Sequence, residues 1–276
     1  MTLDAATLTA TGDFTVDAAG DVVLDAAGND IKFFVGGSAK GRFTHSSGDF
    51  VIQADVQDKD IIFKGDDGGA GITALTLDMS AAGRAFFNSH IDLPDDSQIN
   101  YGAGTTAIRG NSTSDVITLI TNNNTAVTVD SIGAVTMPLQ PAFLATPANN
   151  DQTNLSSGNH TVVLGTEVFD QNADFASNTF TAPVAGRYQL NAIFGLRNLD
   201  TAATYYVNQI VTSNRAYELQ IAGGNVLATD GNFYFTISAL ADMDAGDTAF
   251  MRVQTTGGTA QTDINSDTRF SGFLAC

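Results

Sequence analysis

Phe175-Ala-Ser-Asn-Thr-Phe180-Thr-Ala-Pro183-Val-Ala-Gly186-Arg-Tyr188-Gln-Leu190-Asn-Ala192-Ile-Phe194-Gly-Leu196 is the stretch that decides the fold. Pro183 and Gly186 bracket a turn, because Pro presets the φ that opens one and Gly tolerates the conformations that close one. After the turn, Tyr188, Leu190, Ala192, Phe194 and Leu196 recur at every second position. That period places them on one face of a strand, whereas a helix would scatter them around its circumference. Leu240-Ala-Asp-Met-Asp-Ala-Gly246-Asp247 opens a second such strand, with Ala249, Met251 and Val253 alternating, and the chain closes on Arg269-Phe-Ser-Gly-Phe-Leu. Both read as strands with one apolar face.

Composition extends the β reading to the whole chain. Only Glu167 and Glu218 among the 30 acidic residues are Glu, and the rest are Asp. Asp hydrogen-bonds its own backbone in turns while Glu favours helices, so this imbalance, together with 27 Gly, argues for an all-β protein with many turns. The length of 276 residues suits two segments. A formal net charge of −18 opposes nucleic acid, whose affinity comes largely from Lys and Arg on phosphates. No apolar window is long enough for membrane insertion as a helix. The opening Met1-Thr2-Leu3-Asp4-Ala5-Ala6 lacks the basic and apolar regions of a secretory signal. Cys276 is the single cysteine, which excludes an intrachain disulfide.

From Ala6 to Gly28 every even-numbered residue is apolar or Gly, and most odd ones are Thr, Asp or Asn. An eight-residue repeat overlies this alternation: Leu8-Thr-Ala-Thr-Gly-Asp-Phe-Thr, Val16-Asp-Ala-Ala-Gly-Asp-Val-Val and Leu24-Asp-Ala-Ala-Gly-Asn-Asp-Ile. Each unit reads as a short strand and a Gly-Asp or Gly-Asn turn with positive φ. One unit offers too few inward side chains for a core, so it must stack, either as a solenoid or on the same strands of other chains. The small inward residues favour the multichain form over a solenoid or an ordinary meander. A longer repeat follows, with Ala74-Leu-Thr-Leu-Asp-Met returning 52 residues later as Ala126-Val-Thr-Val-Asp-Ser. Each copy follows a strand-like run and precedes a Gly turn, at Gly83 and Gly133. Pro138 and Pro141 interrupt the pattern and divide the chain into residues 1–138 and 139–276.

The phrases Gly48-Asp-Phe-Val-Ile, Asp60-Ile-Ile-Phe-Lys-Gly and Leu75-Thr-Leu-Asp-Met resemble repeats in fibre and tail-associated proteins of tailed bacteriophages. The C-terminal segment resembles the jelly rolls of the complement component one q and tumour necrosis factor superfamily. Pro141-Ala-Phe-Leu-Ala, Phe180-Thr-Ala-Pro-Val-Ala-Gly-Arg-Tyr188, Ala245-Gly-Asp and Phe270-Ser-Gly-Phe-Leu carry that match in family order. The resemblances imply a homotrimer with an elongated β-repeat stem over 1–138 and an antiparallel jelly-roll head over 139–276. They imply a virion protein assembled in the host cytoplasm, a tail fibre or spike held to other virion proteins by its stem. Its head would bind a host surface glycan or outer-membrane protein through loops. A capsid decoration protein or head fibre, and a bacterial surface adhesin, are the alternatives. Tyr188, Tyr205, Tyr206, Tyr217, Phe233 and Phe235 are candidates for burial between subunits.

Chemistry is sparse. His45, His90 and His160 show no metal-ligand spacing, although one of them repeated on a trimer axis could hold a metal. Asp66-Asp67 lacks the spacing of a calcium loop and reads as a solvated hairpin tip. Asp95-Asp96 is an adjacent pair, and adjacent strand residues face opposite ways, so it does not supply the opposed carboxylates of glycoside hydrolysis. Asn111, Asn123, Asn154 and Asn159 begin chance sequons, and Cys276 has no basic neighbour to activate it. The sequence therefore implies no enzyme, no cofactor and no metal site, and it designates no receptor-binding residues.

Overall fold

The computed structural model describes residues 10–225 and 231–276. Its secondary structure is strand throughout, apart from short 3-10 turns at Met79–Ala81 and Gly223–Asn225. Contacts divide the chain into two compact units, Met1–Asp92 and Leu93–Cys276.

In the first unit, residues 10–29 belong to no ladder and are exposed almost throughout. The backbone bends at 11–12 and 19–20 and turns at 27–28, so the eight-residue period is present in the chain path. Two expectations are corrected here. The segment forms no paired strand among the described residues, because a ladder needs a neighbouring strand and none of them supplies one. Gly12, Gly20 and Gly28 also lie outside the left-handed region. The alternation from Ala6 to Thr9 falls outside the described residues.

Strands β1 (Asp30–Val35), β2 (Ser38–Ser46) and β3 (Asp49–Ala54) then form an antiparallel meander. Its register sets Ile31, Phe43 and Ile52 side by side. The ring centroids of Phe33 and Phe43 are 5.3 Å apart, and those of Phe43 and Phe50 5.7 Å. The opposite face is ionic: Arg42 bridges Asp30 at 3.1 Å and Asp55 at 2.5 Å. A second meander joins β4 (Ile61–Asp67), β5 (Ala70–Asp78) and β6 (Arg84–Phe87).

The second unit opens with a five-stranded meander of β7 (Gln98–Tyr101), β8 (Thr106–Asn111), β9 (Val116–Thr121), β10 (Asn124–Val129) and β11 (Val135–Thr136). The 52-residue repeat is visible in both units. The β5–β6 turn is held by Asp78, whose carboxylate accepts from the Ala81 amide. The β10–β11 turn is held by Asp130, which accepts from the amides of Ile132 and Ala134. Gly83 and Gly133 supply the left-handed residue in each, at φ 79° and 82°.

Among the described residues no sheet crosses Pro138–Pro141. Beyond it lie β12 (Ala142–Thr146), β13 (Gln152–Leu155), β14 (Gly158–Thr161), β15 (Thr166–Asp170), β16 (Phe175–Ala176) and β17 (Thr179–Thr181). They are followed by β18 (Gly186–Arg197), β19 (Ala203–Thr212), β20 (Ala216–Ala222), β21 (Asn232–Met243), β22 (Thr248–Gly257), β23 (Thr262–Ile264) and β24 (Arg269–Leu274). One sheet runs β15-β12-β24-β18 with β21 on the free side of β18, and β13 and β23 extend it. The other runs β16-β17-β22-β19-β20, with β14 also on β22. The chain crosses between sheets from β13 to β14, β14 to β15, β15 to β16, β17 to β18, β18 to β19, β20 to β21, β21 to β22 and β22 to β23. This is the Greek-key winding of a jelly-roll sandwich.

The core lies between these sheets. Tyr188, Leu190, Ala192, Phe194 and Leu196 are all buried inward, as the alternation predicts, and face Ala249, Met251 and Val253 among others. Phe143 stacks on Phe175 and Phe180 at 5.0 and 4.8 Å and meets Phe270 edge-on at 5.0 Å. Gly272 is required there, since a Cβ would sit 2.8 Å from the Phe143 ring. Tyr188 and Tyr206 are corrected as candidates for a subunit interface: both are core residues, the Tyr188 hydroxyl donating to the Val184 carbonyl and the Tyr206 hydroxyl to that of Asp200. Tyr217, Phe233 and Phe235 pack partly buried against the same core.

Candidate functional site

Strand alternation that buries one face of β18 sends Gln189, Asn191 and Ile193 outward. Across the sheet, Phe169, Leu144, Ser271, Asn191 and Ser238 form one row of neighbours. Ala142, Phe273, Gln189 and Leu240 form the next. Phe169, Phe273 and Leu240 are each about half exposed. Between them, the Gln189 amide donates to Ser238 Oγ at 2.8 Å and to Asn191 Oδ1 at 3.2 Å, and Ser238 donates to Asn191 at 2.9 Å. The face is therefore a small polar network among exposed apolar side chains.

Farther along β18 the same face carries a shallow hollow of about 340 Å³ lined by Ile193, Tyr234, Thr236, Asp267 and Arg269. The Tyr234 hydroxyl donates to Asp267 Oδ2 at 2.7 Å. That carboxylate raises the phenol's pKa, because a phenolate would confront it. Arg269 makes no ion pair among the described residues. An aromatic ring, an aliphatic wall, a carboxylate and a guanidinium in one concave surface can contact a hydroxyl-rich ligand on several sides.

The end of the sandwich remote from Pro141 is held by carboxylates. Arg197 pairs with Asp151 and, at 3.2 Å, with Asp263. Asp263 also accepts from the Asn198 side chain and the Asn154 amide, each at 2.8 Å. Asp200 accepts from the amides of Ala202 and Thr259 and from the Thr259 hydroxyl. Those bonds stabilise its ionised form and lower its pKa, the Thr259 amide most. These loops are tied to the sheets by side-chain caps, which fixes whatever surface they present.

The residues nominated from sequence remain apart. His45 lines a small hollow with Leu24, Phe43 and Phe50. His90 shares a hydrogen bond with Ser89, and His160 with the Ser156 carbonyl. Among the described residues of one chain, no three His, Cys, Asp or Glu side chains gather as metal ligands. Asp66 accepts from the Gly69 amide at the β4–β5 hairpin tip. Asp95 and Asp96 part company: Asp95 accepts from the amides and hydroxyls of Ser112 and Thr113, while Asp96 lies 3.7 Å from Arg109. The bonds to Asp95, led by the Thr113 hydroxyl, hold its pKa at about 2. Cys276 is exposed. Gln189, Ser238, Tyr234, Asp267 and Arg269 escaped sequence reading. Outward parity on β18 could have marked Gln189, but the rest depend on which strands become neighbours.

No family model matches the sequence, and no curated protein sequence matches it. Solved structures similar to this chain include the globular domain of zebrafish complement 1qA protein, which is 16% identical, with 50% of this chain and 98% of that chain covered and a TM-score of 0.36. Murine APRIL at pH 8.0 is 10% identical, with 49% and 98% covered and a TM-score of 0.36. A second murine APRIL structure, at pH 8.5, is 11% identical with the same coverage and a TM-score of 0.35. The sandwich itself is defined by its own strand pairing. Fold and surfaces together describe an all-β chain in which meander sheets with uncovered apolar faces are joined to a jelly-roll sandwich.

Proposed function

We propose that the chain is a homotrimeric structural protein of a tailed bacteriophage, a tail fibre or spike whose jelly-roll head binds the host cell surface. One observation carries the reading. Among the described residues, Ala107 is the only buried apolar residue before Leu139, while Phe14, Phe33, Phe50, Ile62, Phe87, Ile99 and Ile117 are all exposed. Surface of that extent in a chain with net charge −18 marks an interface, since a lone domain would leave it in water. Identical meanders on identical chains are the economical way to cover it, and closed symmetry limits how many chains join. The repeated phrases that resemble phage fibre repeats lie in this uncovered part. The head has a formed core, and its loops at Asp200 and Asp263 are tied by hydrogen bonds, so it is the part suited to contact. Weak contacts to a glycan or an outer-membrane protein gain from triplication.

Native mass spectrometry should give a trimer, and antibodies against the chain should decorate the tail of purified particles in electron micrographs. Full-length protein added to host cells should lower phage adsorption. A monomeric mass, or decoration of the capsid shell with no effect on adsorption, overturns the reading.

A further inference from the structure

Resting on that trimeric reading, we propose that residues 10–29 form an eight-residue-period seam completed by the same segment of two further copies, with its Gly positions at the points of closest chain approach. The even positions fall into a strict octad: Ala10, Ala18 and Ala26, then Gly12, Gly20 and Gly28, then Phe14 and Val22, then Val16 and Leu24. The bends recur in step.

A glycine usually answers one of two needs, a left-handed φ or a close neighbour. Among the described residues Gly12, Gly20 and Gly28 have neither: their φ lies outside the left-handed region, and a Cβ on any of them would meet nothing within 4 Å. Glycine is also less favourable than Ala in a strand, because it loses more backbone freedom on ordering. A residue that is unfavourable, periodic and unexplained inside the chain fits close approach by a partner of the same period. Another copy of this segment has that period by construction. The backbone agrees, since residues 13–18 and 21–26 have no ladder partner among the described residues.

Area and charge favour the same occupant. Phe14, Val16, Val22 and Leu24 are 62%, 57%, 55% and 66% exposed. They offer roughly 450 Å² per chain, so three copies bring together more than about 1,000 Å², the scale of a specific interface. Asp13, Asp17, Asp21 and Asp25 all have the other parity, so a seam of even positions leaves every carboxylate in water. Val23 is the one large apolar side chain on that outer parity. The seam also has a continuation: Leu24 and Ala26 share a hollow of about 240 Å³ with Phe43 and Phe50, on the uncovered face of the first meander.

The test uses full-length chain carrying Cys276→Ser and one new cysteine, Val16→Cys or Asp17→Cys, treated with a short bifunctional maleimide and run on denaturing gels beside a native mass measurement. Val16→Cys should give covalent multimers and Asp17→Cys should stay monomeric on the gel. Equal cross-linking at both positions, or none at Val16, in a protein of trimeric native mass overturns the seam and leaves the trimer standing. A monomeric native mass overturns both. Gly20→Val supplies a second reading: it should abolish cross-linking through Val16→Cys, and wild-type cross-linking in its presence overturns the close approach.

Discussion

Residues 30–136 and residues 142–274 are both antiparallel sheet, yet only the second region has an inside. In the sandwich, each inward row on β18 meets an inward row on the facing sheet, and rings such as Phe143, Phe180 and Phe270 are almost fully buried. In the meanders, comparable residues line up just as regularly across strands, and Phe50 is still 74% exposed. Strands are thus paired in both regions, and an apolar face is covered in only one. Strand formation and core formation are separate requirements, and a chain can satisfy the first internally while leaving the second to its neighbours.

The contrast breaks most visibly if a charge enters the seam. Phe14→Asp should cost several kcal/mol for each copy in the assembly, because three unpaired carboxylates would be buried at one level. Asp17→Ser should stay within about 0.5 kcal/mol. Equal thermal melting of the two variants would show that the parity assignment is wrong. Next in size is Phe143→Ala, which should destabilise the head by about 3–5 kcal/mol, as truncation of a packed core ring does. That loss should be the same at every protein concentration, whereas the loss from Phe43→Ala should shrink as concentration rises, since mass action restores an interface and leaves a core unaffected. Two concentration-independent losses would erase the distinction between the regions.

Smaller effects sharpen it locally. Asp95 titrates at about 2 in the folded chain, below the ordinary 3.8, so its tether on Ser112 and Thr113 stabilises the β8–β9 hairpin tip above about pH 4 and is lost as pH falls through about 2. Hydrogen exchange at those two amides should accelerate across that window, and Asp95→Asn should remove the pH dependence. The smallest change concerns Tyr234. Asp267→Asn should bring its phenol pKa back down toward 10, readable by NMR titration, because the neighbouring carboxylate is the principal cause of the rise.

Much of this architecture is readable from the chain. The inward set from Tyr188 to Leu196 follows from parity alone, and the 52-residue repeat marks the glycine turns at Gly83 and Gly133, while the carboxylates of Asp78 and Asp130 that hold those turns do not follow from it. Tyr205 and Tyr206 mark a limit: they are adjacent, so one faces inward and one outward, and only the register with β22 decides that Tyr206 goes in. The Tyr234–Asp267–Arg269 hollow was illegible for a related reason. Its members come from two strands and a loop whose adjacency depends on the winding of the sandwich. Residues 10–29 mark the opposite limit, since their period is plain in the sequence while the partner that would give it meaning is absent from a single chain.

The attachment of β12 has a mechanical consequence. This strand begins where the chain enters the sandwich at Pro141 and is hydrogen-bonded along both edges, to β15 and to β24. The Gln140 side chain and the Pro141 carbonyl add bonds to Leu274 at its root. If the far end of the sandwich is held while the chain is pulled from Pro141, the force runs along the strand and loads these bonds in shear. They must then yield together, whereas a strand peeled from an edge gives up its bonds one at a time. The point at which tension enters the sandwich is therefore among its most strongly anchored.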